Sequence, residues 1–323
     1  MFLLLFNLAA SRVLLSNSEE KAFVSWMRNT NNYFAGDEYH FRLGIFLSNQ
    51  RFVQSHNKNE ANHFKLALNK FAAYTPAEYR SLLGVDSSRR LDNSNIRPKA
   101  RKTLTVPESI DWREKGAVSD IKDQGSCGSC WSFGAIVAQE GAHALATGEL
   151  ITLSEQNLVD CCNIECHGCF GGWPDKALTY VISNQGGKFN LLSDYVYTAT
   201  EGTCRFEDYI KVSSIFGVQG VTQGDEDELK FQVGSQGPVA ICVDCSNASF
   251  QLYSSGIYSE PKCKKYIYNH AMGIIGYGSE NGEDYWIVRN SWGLSWGEKG
   301  YVRFARGSDM CNIADAVFYS IYQ

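Results

Sequence analysis

No cysteine occurs before Cys127, and all eleven lie between Cys127 and Cys311. Disulfide and thiol chemistry is therefore confined to the C-terminal two thirds of the 323 residues. No Lys or Arg precedes Arg12. The first ten residues are too short to span a bilayer, and no later stretch is long and apolar enough. Internal repeats and low-complexity tracts are also lacking. The net charge of −5 divides unevenly: Met1–Thr105 carries +7 and Val106–Gln323 carries −12. An acidic remainder argues against nucleic acid as a partner, since phosphate binding needs a positive face.

What is present begins with MFLLLFNLAA, an apolar run followed by small residues. It is expected to be a secretory signal over residues 1–16. A cysteine-rich chain behind such a segment points to an oxidising compartment and several disulfides. Residues 18–57 read as helical. Glu38, Arg42, Phe46, Asn49, Val53 and Asn57 fall at steps of three and four, on one stripe. That stripe mixes charge, amide and aromatic groups, so it is a packing face of a specific kind rather than a plain apolar one. Residues 84–105 are polar, basic and aperiodic, and read as an exposed, easily cleaved linker.

After Val106, Trp, Cys and Gly become frequent. Residues 130–147 suit a buried helix ending near Gly148, and Ser154 suits a helix cap. After about residue 215 short β-branched and aromatic runs alternate with glycine, as strands do. Helices followed by strands indicate an α+β protein.

The chemistry-bearing segment is Gln124-Gly-Ser-Cys127-Gly-Ser-Cys130-Trp131. A glycine-rich turn delivers Cys130 to a helix start, where backbone N–H groups favour a thiolate. Taken alone, C-x-x-C also allows a redox pair or half of a zinc site. His270 and Asn290 lie 140 and 160 residues beyond Cys130, in strand-like surroundings. A histidine supplies the base that a thiol nucleophile needs.

Together these residues resemble the papain family of cysteine peptidases, near its cathepsin L-like branch. The signature C-G-[SA]-C-[WY] stands here as Cys127-Gly128-Ser129-Cys130-Trp131. The resemblance implies a two-lobe fold, with a helical left lobe at 106–217 and a β-barrel right lobe at 218–323. A helical inhibitory propeptide at 17–83 would precede it, and the mature protein would start near Val106. It implies Cys130 as nucleophile, His270 as general base and acid, and Asn290 as the residue orienting the imidazole. Gln124 would donate to the oxyanion hole, and Trp292 would shield the His270–Asn290 hydrogen bond. Gly171 and Gly172 would meet an extended substrate strand. Trp173, Pro174, Cys242, Ala271 and Ala316 would line an apolar pocket for the residue two before the cut. The implied bridges are Cys127–Cys169, Cys161–Cys204 and Cys263–Cys311. That leaves Cys162 and Cys166, able to bridge locally, and Cys242 and Cys245, too awkwardly spaced along a strand to pair.

The stripe from Glu38 to Asn57 resembles the E-R-F-N-I-N helix of cathepsin L-like propeptides, with Val53 for Ile. Ala67-Leu-Asn69-Lys-Phe71-Ala-Ala73 resembles the G-x-N-x-F-x-D element, with both its Gly and its Asp replaced by Ala. The missing aspartate is the family's suspected pH sensor, so acid release is expected to rest on the +7/−12 charge contrast.

The implied activity is endopeptidase action by a zymogen, through a thioester and without a cofactor or metal. The expected partners are peptide and protein substrates, the chain's own propeptide and cystatin-type inhibitors, with the enzyme a monomer. The expected location is the secretory pathway, ending in an acidic lysosome-like vesicle or outside the cell. Asn247-Ala-Ser249 is a glycosylation acceptor.

Other classes explain less. An inactive binding homologue would show a replaced nucleophile or base. A thiol–disulfide or zinc protein, including one built on the Cys161–Cys169 cluster, leaves Gln124, His270 and Asn290 without purpose. A transglutaminase-like enzyme would share the triad but not the propeptide. No His-His pair of the occluding-loop type favours an exopeptidase.

Overall fold

The computed structural model describes residues 17–86 and 105–322. The expected signal segment and most of the expected linker lie outside these residues.

The N-terminal part opens with α1 (Asn17–Asn29) and α2 (Gly36–Lys58). The helical stretch read across 18–57 is thus broken after residue 29, where Asn31 takes a positive φ of 53°. The break lets the two helices pack on each other through Phe23, Trp26 and Phe46. The mixed stripe of α2 then makes sense. Its amides and Arg42 act as brackets for the extended chain that follows. Asn57 holds Leu66 through both its N–H and C=O, Asn49 donates to the Ala72 carbonyl, and Arg42 donates to the Ala73 carbonyl. Phe46 and Val53 supply the apolar contacts.

That extended chain contains β1 (Phe64–Leu66) and leads to α3 (Pro76–Ser81). Thr75 and Glu78 form a reciprocal capping box at the start of α3, with Pro76 in its first turn.

The remaining elements are β2 (Ile110–Asp111), α4 (Cys130–Thr147), α5 (Glu155–Cys161), α6 (Pro174–Asn184), β3 (Phe189–Asn190), β4 (Lys211–Val212), β5 (Ile215–Gln219), α7 (Glu226–Gln236), β6 (Val239–Val243), α8 (Ala248–Gln251), β7 (Tyr253–Tyr258), β8 (His270–Glu280), β9 (Glu283–Arg289), β10 (Tyr301–Ala305) and β11 (Ala316–Tyr322). α4 is apolar nearly all round and is buried for most of its length, as such helices must be. Gly148 closes it in the left-handed conformation at φ 77°.

The expected β-barrel is instead an open sheet. Its strands run β1-β7-β10-β9-β8-β6-β11-β5, with β2 joined to β8, and the terminal strands β1 and β5 do not pair with each other. The sheet stays open because its two end strands never meet: β1 from the N-terminal part pairs only with β7, and β5 only with β11. β6 is buried at every position and sits between β8 and β11.

A buried charge cluster ties the helical half to the sheet half. Lys122 Nζ lies 3.0 Å from Glu140 of α4 and 2.6 Å from Glu155 of α5, while Arg289 of β9 approaches Glu140 at 3.6 Å. The two cations hold the Glu140 carboxyl below its ordinary range against the cost of burial.

Candidate active site

Cys130 is the first residue of α4 and is fully buried. The backbone N–H of Ala271 donates to its Sγ at 3.4 Å. Ala271 follows His270 in β8, so the helix mouth abuts the strand at the histidine. His270 is also fully buried. Its Nε2 is 2.8 Å from Asn290 Oδ1, which leaves Nδ1 without a partner among the described residues. The Trp292 ring centroid lies 4.6 Å from that of the imidazole, tilted by 31°.

Electrostatics follow from burial. Burial pushes the Cys130 thiol up to about 11, although N–H groups of Ala271, Gly84, Trp131 and Cys130 pull the other way. Burial lowers His270 to about 4, partly offset by the hydrogen bond to Asn290. Thiol and imidazole are therefore both neutral here. Desolvation outweighs the helix-start effect that sequence reasoning emphasised.

The N-terminal part adds to the burial of Cys130, with the Gly84 N–H at the thiol and Val85 in the same cluster. Gln124 Nε2 donates to the Leu82 carbonyl at 2.9 Å, and Ser291 Oγ donates to Gln124 Oε1 at 2.6 Å. Gly172 N–H donates to the Gly84 carbonyl at 2.9 Å, and Val85 N–H donates to the Asn269 carbonyl at 3.1 Å. Val85 bridges Gly172 in parallel register. Trp173 Nε1 reaches the Asp86 carbonyl at 3.1 Å. Gly84 cannot be another residue, because a Cβ there would lie 1.7 Å from the Gly128 carbonyl oxygen. Residues 84–86, read from sequence as the start of an exposed linker, are thus seated in the cleft.

The Val85 side chain is buried among Cys130, Trp173, Cys242, Tyr268, Ala271 and Ala316. Register explains why three of the expected pocket residues share a face. Cys242 pairs with Ala271 on one side and with Ala316 on the other. Directly paired residues point the same way. Pro174 follows Trp173 as the first residue of α6. Sequence reasoning missed Leu82, Gly84, Val85, Tyr268 and Ser291. The short apolar run Leu82-Leu83-Gly84-Val85, ending at a polar stretch, was the available signal.

Further contacts hold the N-terminal part down. Phe71 and Tyr79 pack edge-on against Trp292, at 5.2 and 5.9 Å. Tyr79 Oη donates to the Cys245 carbonyl at 2.7 Å. Asn69 and Gln251 exchange side-chain hydrogen bonds with the backbone of Gln251 and Phe71. Lys70 pairs with Asp123, and His63 contacts Glu283. The bonded cysteines are Cys127–Cys169, Cys161–Cys204 and Cys263–Cys311, the pairs the resemblance implied.

A thiol at a helix mouth, an amide-braced imidazole and a cleft filled by the chain's own leader define a cysteine peptidase zymogen. The chain belongs to the papain family of cysteine proteases. Residues 106–321 match the family model described as papain family cysteine protease, and residues 23–79 match the cathepsin propeptide inhibitor domain (I29). It is 38% identical over 294 residues to digestive cysteine proteinase 2 of Homarus americanus, covering 90% of each chain. It is 39% identical to cathepsin L of Sarcophaga peregrina, covering 91% of this chain and 90% of that one. Among solved structures, digestive procathepsin L 3 from the larval midgut of Tenebrio molitor superposes with a TM-score of 0.85. The two are 34% identical, covering 94% of this chain and 99% of that one.

Proposed function

We propose that Cys130 is the nucleophile of this endopeptidase, His270 its general base and acid, and Asn290 the residue that fixes the imidazole. In the open enzyme the thiolate attacks the peptide carbonyl. The oxyanion is held by Gln124 Nε2 and the backbone N–H of Cys130. His270 protonates the leaving amine, and a water activated by the same ring hydrolyses the thioester. Asn290, bonded at Nε2, leaves Nδ1 as the nitrogen that exchanges protons with the sulfur.

One observation carries this reading: a peptide carbonyl, that of Leu82, already lies on Gln124 while Val85 fills the apolar pocket. In a substrate the pocket residue precedes the residue whose carbonyl is attacked. Here it follows, three positions later, so the leader runs through the cleft backwards. The leader therefore occupies the cleft without presenting a bond in the productive direction. The pocket's occupant and its uncharged lining support a preference for Val, Leu or Phe two residues before the cut.

The roles of Gly171 and Gly172 as a rail for extended substrate, of Trp292 as shield, and a mature start near Val106 belong to the same reading. So do cystatin-type inhibitors as partners, a monomeric enzyme, and passage through the secretory pathway to an acidic vesicle or the exterior. No helix among the described residues is long and apolar enough to cross a membrane.

The test is irreversible labelling with a peptide vinyl sulfone bearing Leu at the pocket position. The activated enzyme is expected to be labelled at Cys130, and Cys130→Ala not at all. Full labelling of Cys130→Ala would reject the assignment.

A further inference from the structure

Five cysteines lie outside the three disulfides, and two of them, Cys162 and Cys166, have no part in the proposed chemistry. Both are fully buried in the core of the helical half, with Trp131, Ala135 and Leu158. Cys162 caps the end of α5, its N–H donating to the Leu158 carbonyl. The chain then turns out to the exposed residues Asn163 to Glu165 and returns at Cys166. There the Cys166 thiol points to the Trp173 carbonyl at 3.9 Å, with Cys162 in the same buried cluster. Two thiols four residues apart, on either side of one short turn, thus share one dry core.

We propose that Cys162 and Cys166 form a fourth disulfide, which clamps the turn beneath the glycine rail of the cleft. The link to the rail is direct. A Cβ on Gly172 would lie 2.9 Å from Cys166 Sγ and 2.7 Å from Trp131 Cδ2, so Cys166 and Trp131 are the floor on which Gly172 rests. Gly172 N–H is the group that holds the Gly84 carbonyl. The neighbouring Cys161 is already bridged to Cys204. A second bridge at the adjacent residue would anchor both the end of α5 and the rail's floor, and so set the height at which an extended chain is gripped.

The step balances with a small-molecule disulfide such as oxidised glutathione as oxidant. Two S–H bonds break and one S–S bond forms. Two protons and two electrons pass to the oxidant, which leaves as two thiols. Once buried, the Cys166 thiol is held well above its ordinary range by desolvation, so it is unreactive as a free thiol. Closure therefore belongs to folding in an oxidising compartment, before the core is sealed.

The first test is peptide mapping of the full chain carrying Cys130→Ser, made in a secretory host and equilibrated in a glutathione buffer containing both redox forms. The protein is denatured without reductant and alkylated, and a second sample is reduced first. The expected result is no alkylation of Cys162 or Cys166 in the first sample and full alkylation of both in the second. Alkylation of both to the same extent in the two samples would overturn the proposal.

The second test compares activated wild type with Cys162→Ser/Cys166→Ser on a peptide substrate. KM is expected to rise about threefold or more, with kcat within twofold and the pH profile unmoved. An unchanged KM would remove the rail from the proposal. This arm rests on the reading of Gly171–Gly172 as substrate rail, and the mapping arm does not, so failure of one is distinguishable from failure of the other.

Discussion

The side-chain nitrogen of Gln124 lies 2.9 Å from the main-chain oxygen of Leu82. The group proposed to stabilise a developing oxyanion is thus engaged with a carbonyl that is not to be cleaved. Removing it should act twice. Gln124→Ala is expected to lower kcat/KM of the activated enzyme ~10²–10³-fold, as loss of one oxyanion donor does. It should also loosen the leader. Steady-state kinetics and inhibition by added leader peptide check the two effects, and an unchanged kcat/KM would refute the first.

Val85 and Gly84 should decide whether the leader inhibits at all. Burying a valine side chain contributes about 1.5–3 kcal/mol. Val85→Asp forfeits that and puts a charge in an apolar pocket. Gly84→Ala places a methyl where the Gly128 carbonyl already sits. Both full-length variants are expected to react with a cleft-directed label at neutral pH at least about tenfold faster than the parent. Equal rates would show that the seat does not depend on these two residues.

Acid release gains a second physical route. His270 is neutral in the closed form, where burial lowers it to about 4 from an ordinary 6.5, and departure of the leader is expected to restore part of its solvation. Below 6.5 the open form takes up a proton that the closed form refuses. The closed form is therefore fully favoured above that value and loses ground as pH falls towards 4, by about 1.4 kcal/mol per pH unit. Glu78 acts lower down. Its hydrogen bonds to Arg42 depress it to about 2, so its contribution persists above 4.5 and disappears only as pH falls through 2. Glu78 is 40% exposed, which limits the pair to about 1 kcal/mol or less. Trace active enzyme should cleave full-length Cys130→Ala increasingly fast between pH 6.5 and 4, with little change on adding Glu78→Gln. The charge-contrast route predicts instead a rate that rises with salt at fixed pH, because Lys70–Asp123 is a partly exposed pair. A flat profile in both variables would dismiss both routes.

The pocket's apolar character should be reversible. Ala316 is buried beside Cys242 and Ala271. Ala316→Glu adds a carboxylate that a cationic side chain can neutralise. The ratio of kcat/KM for Arg against Leu at the pocket position should shift by at least about tenfold, and Ala316→Gln should not reproduce it. A ratio that stays put would place the pocket elsewhere.

Lys122 should matter for stability far more than an ordinary surface lysine. Lys122→Met leaves Glu140 and Glu155 buried with a single, more distant cation. Breaking a buried pair in this way costs ~3–5 kcal/mol. A thermal midpoint within a degree or two of wild type would contradict that cost.

Much of this was legible in the residues. α4 could be read from its apolar run and its terminal Gly148, α5 from Ser154, and β5 to β10 from β-branched runs between glycines. The proposed triad rested on a thiol placed by a glycine-rich turn and on two distant strand residues. What escaped was set by tertiary contact. β11 lies close to the C-terminus and gains its identity from pairing with β6 and β5. The barrel reading failed because closure depends on whether the two end strands meet, and one of those ends, β1, lies 189 residues before the strand it pairs with. Burial, rather than the helix start, decides the state of Cys130, and part of that burial comes from Gly84 and Val85, which look like the fringe of a linker.

The pairing of β1 with β7 has a consequence for the processed molecule. Residues 253–256 find their strand partner in β1 alone, since β10 reaches only Ile257 and Tyr258. When the leader departs, a row of main-chain donors and acceptors is bared along one rim. Maturation thus uncovers, together with the cleft, a strand edge open to a passing extended chain, and amide exchange at Ser255, which faces β1, should quicken as it does, while the Gly256 N–H stays bonded to Glu298.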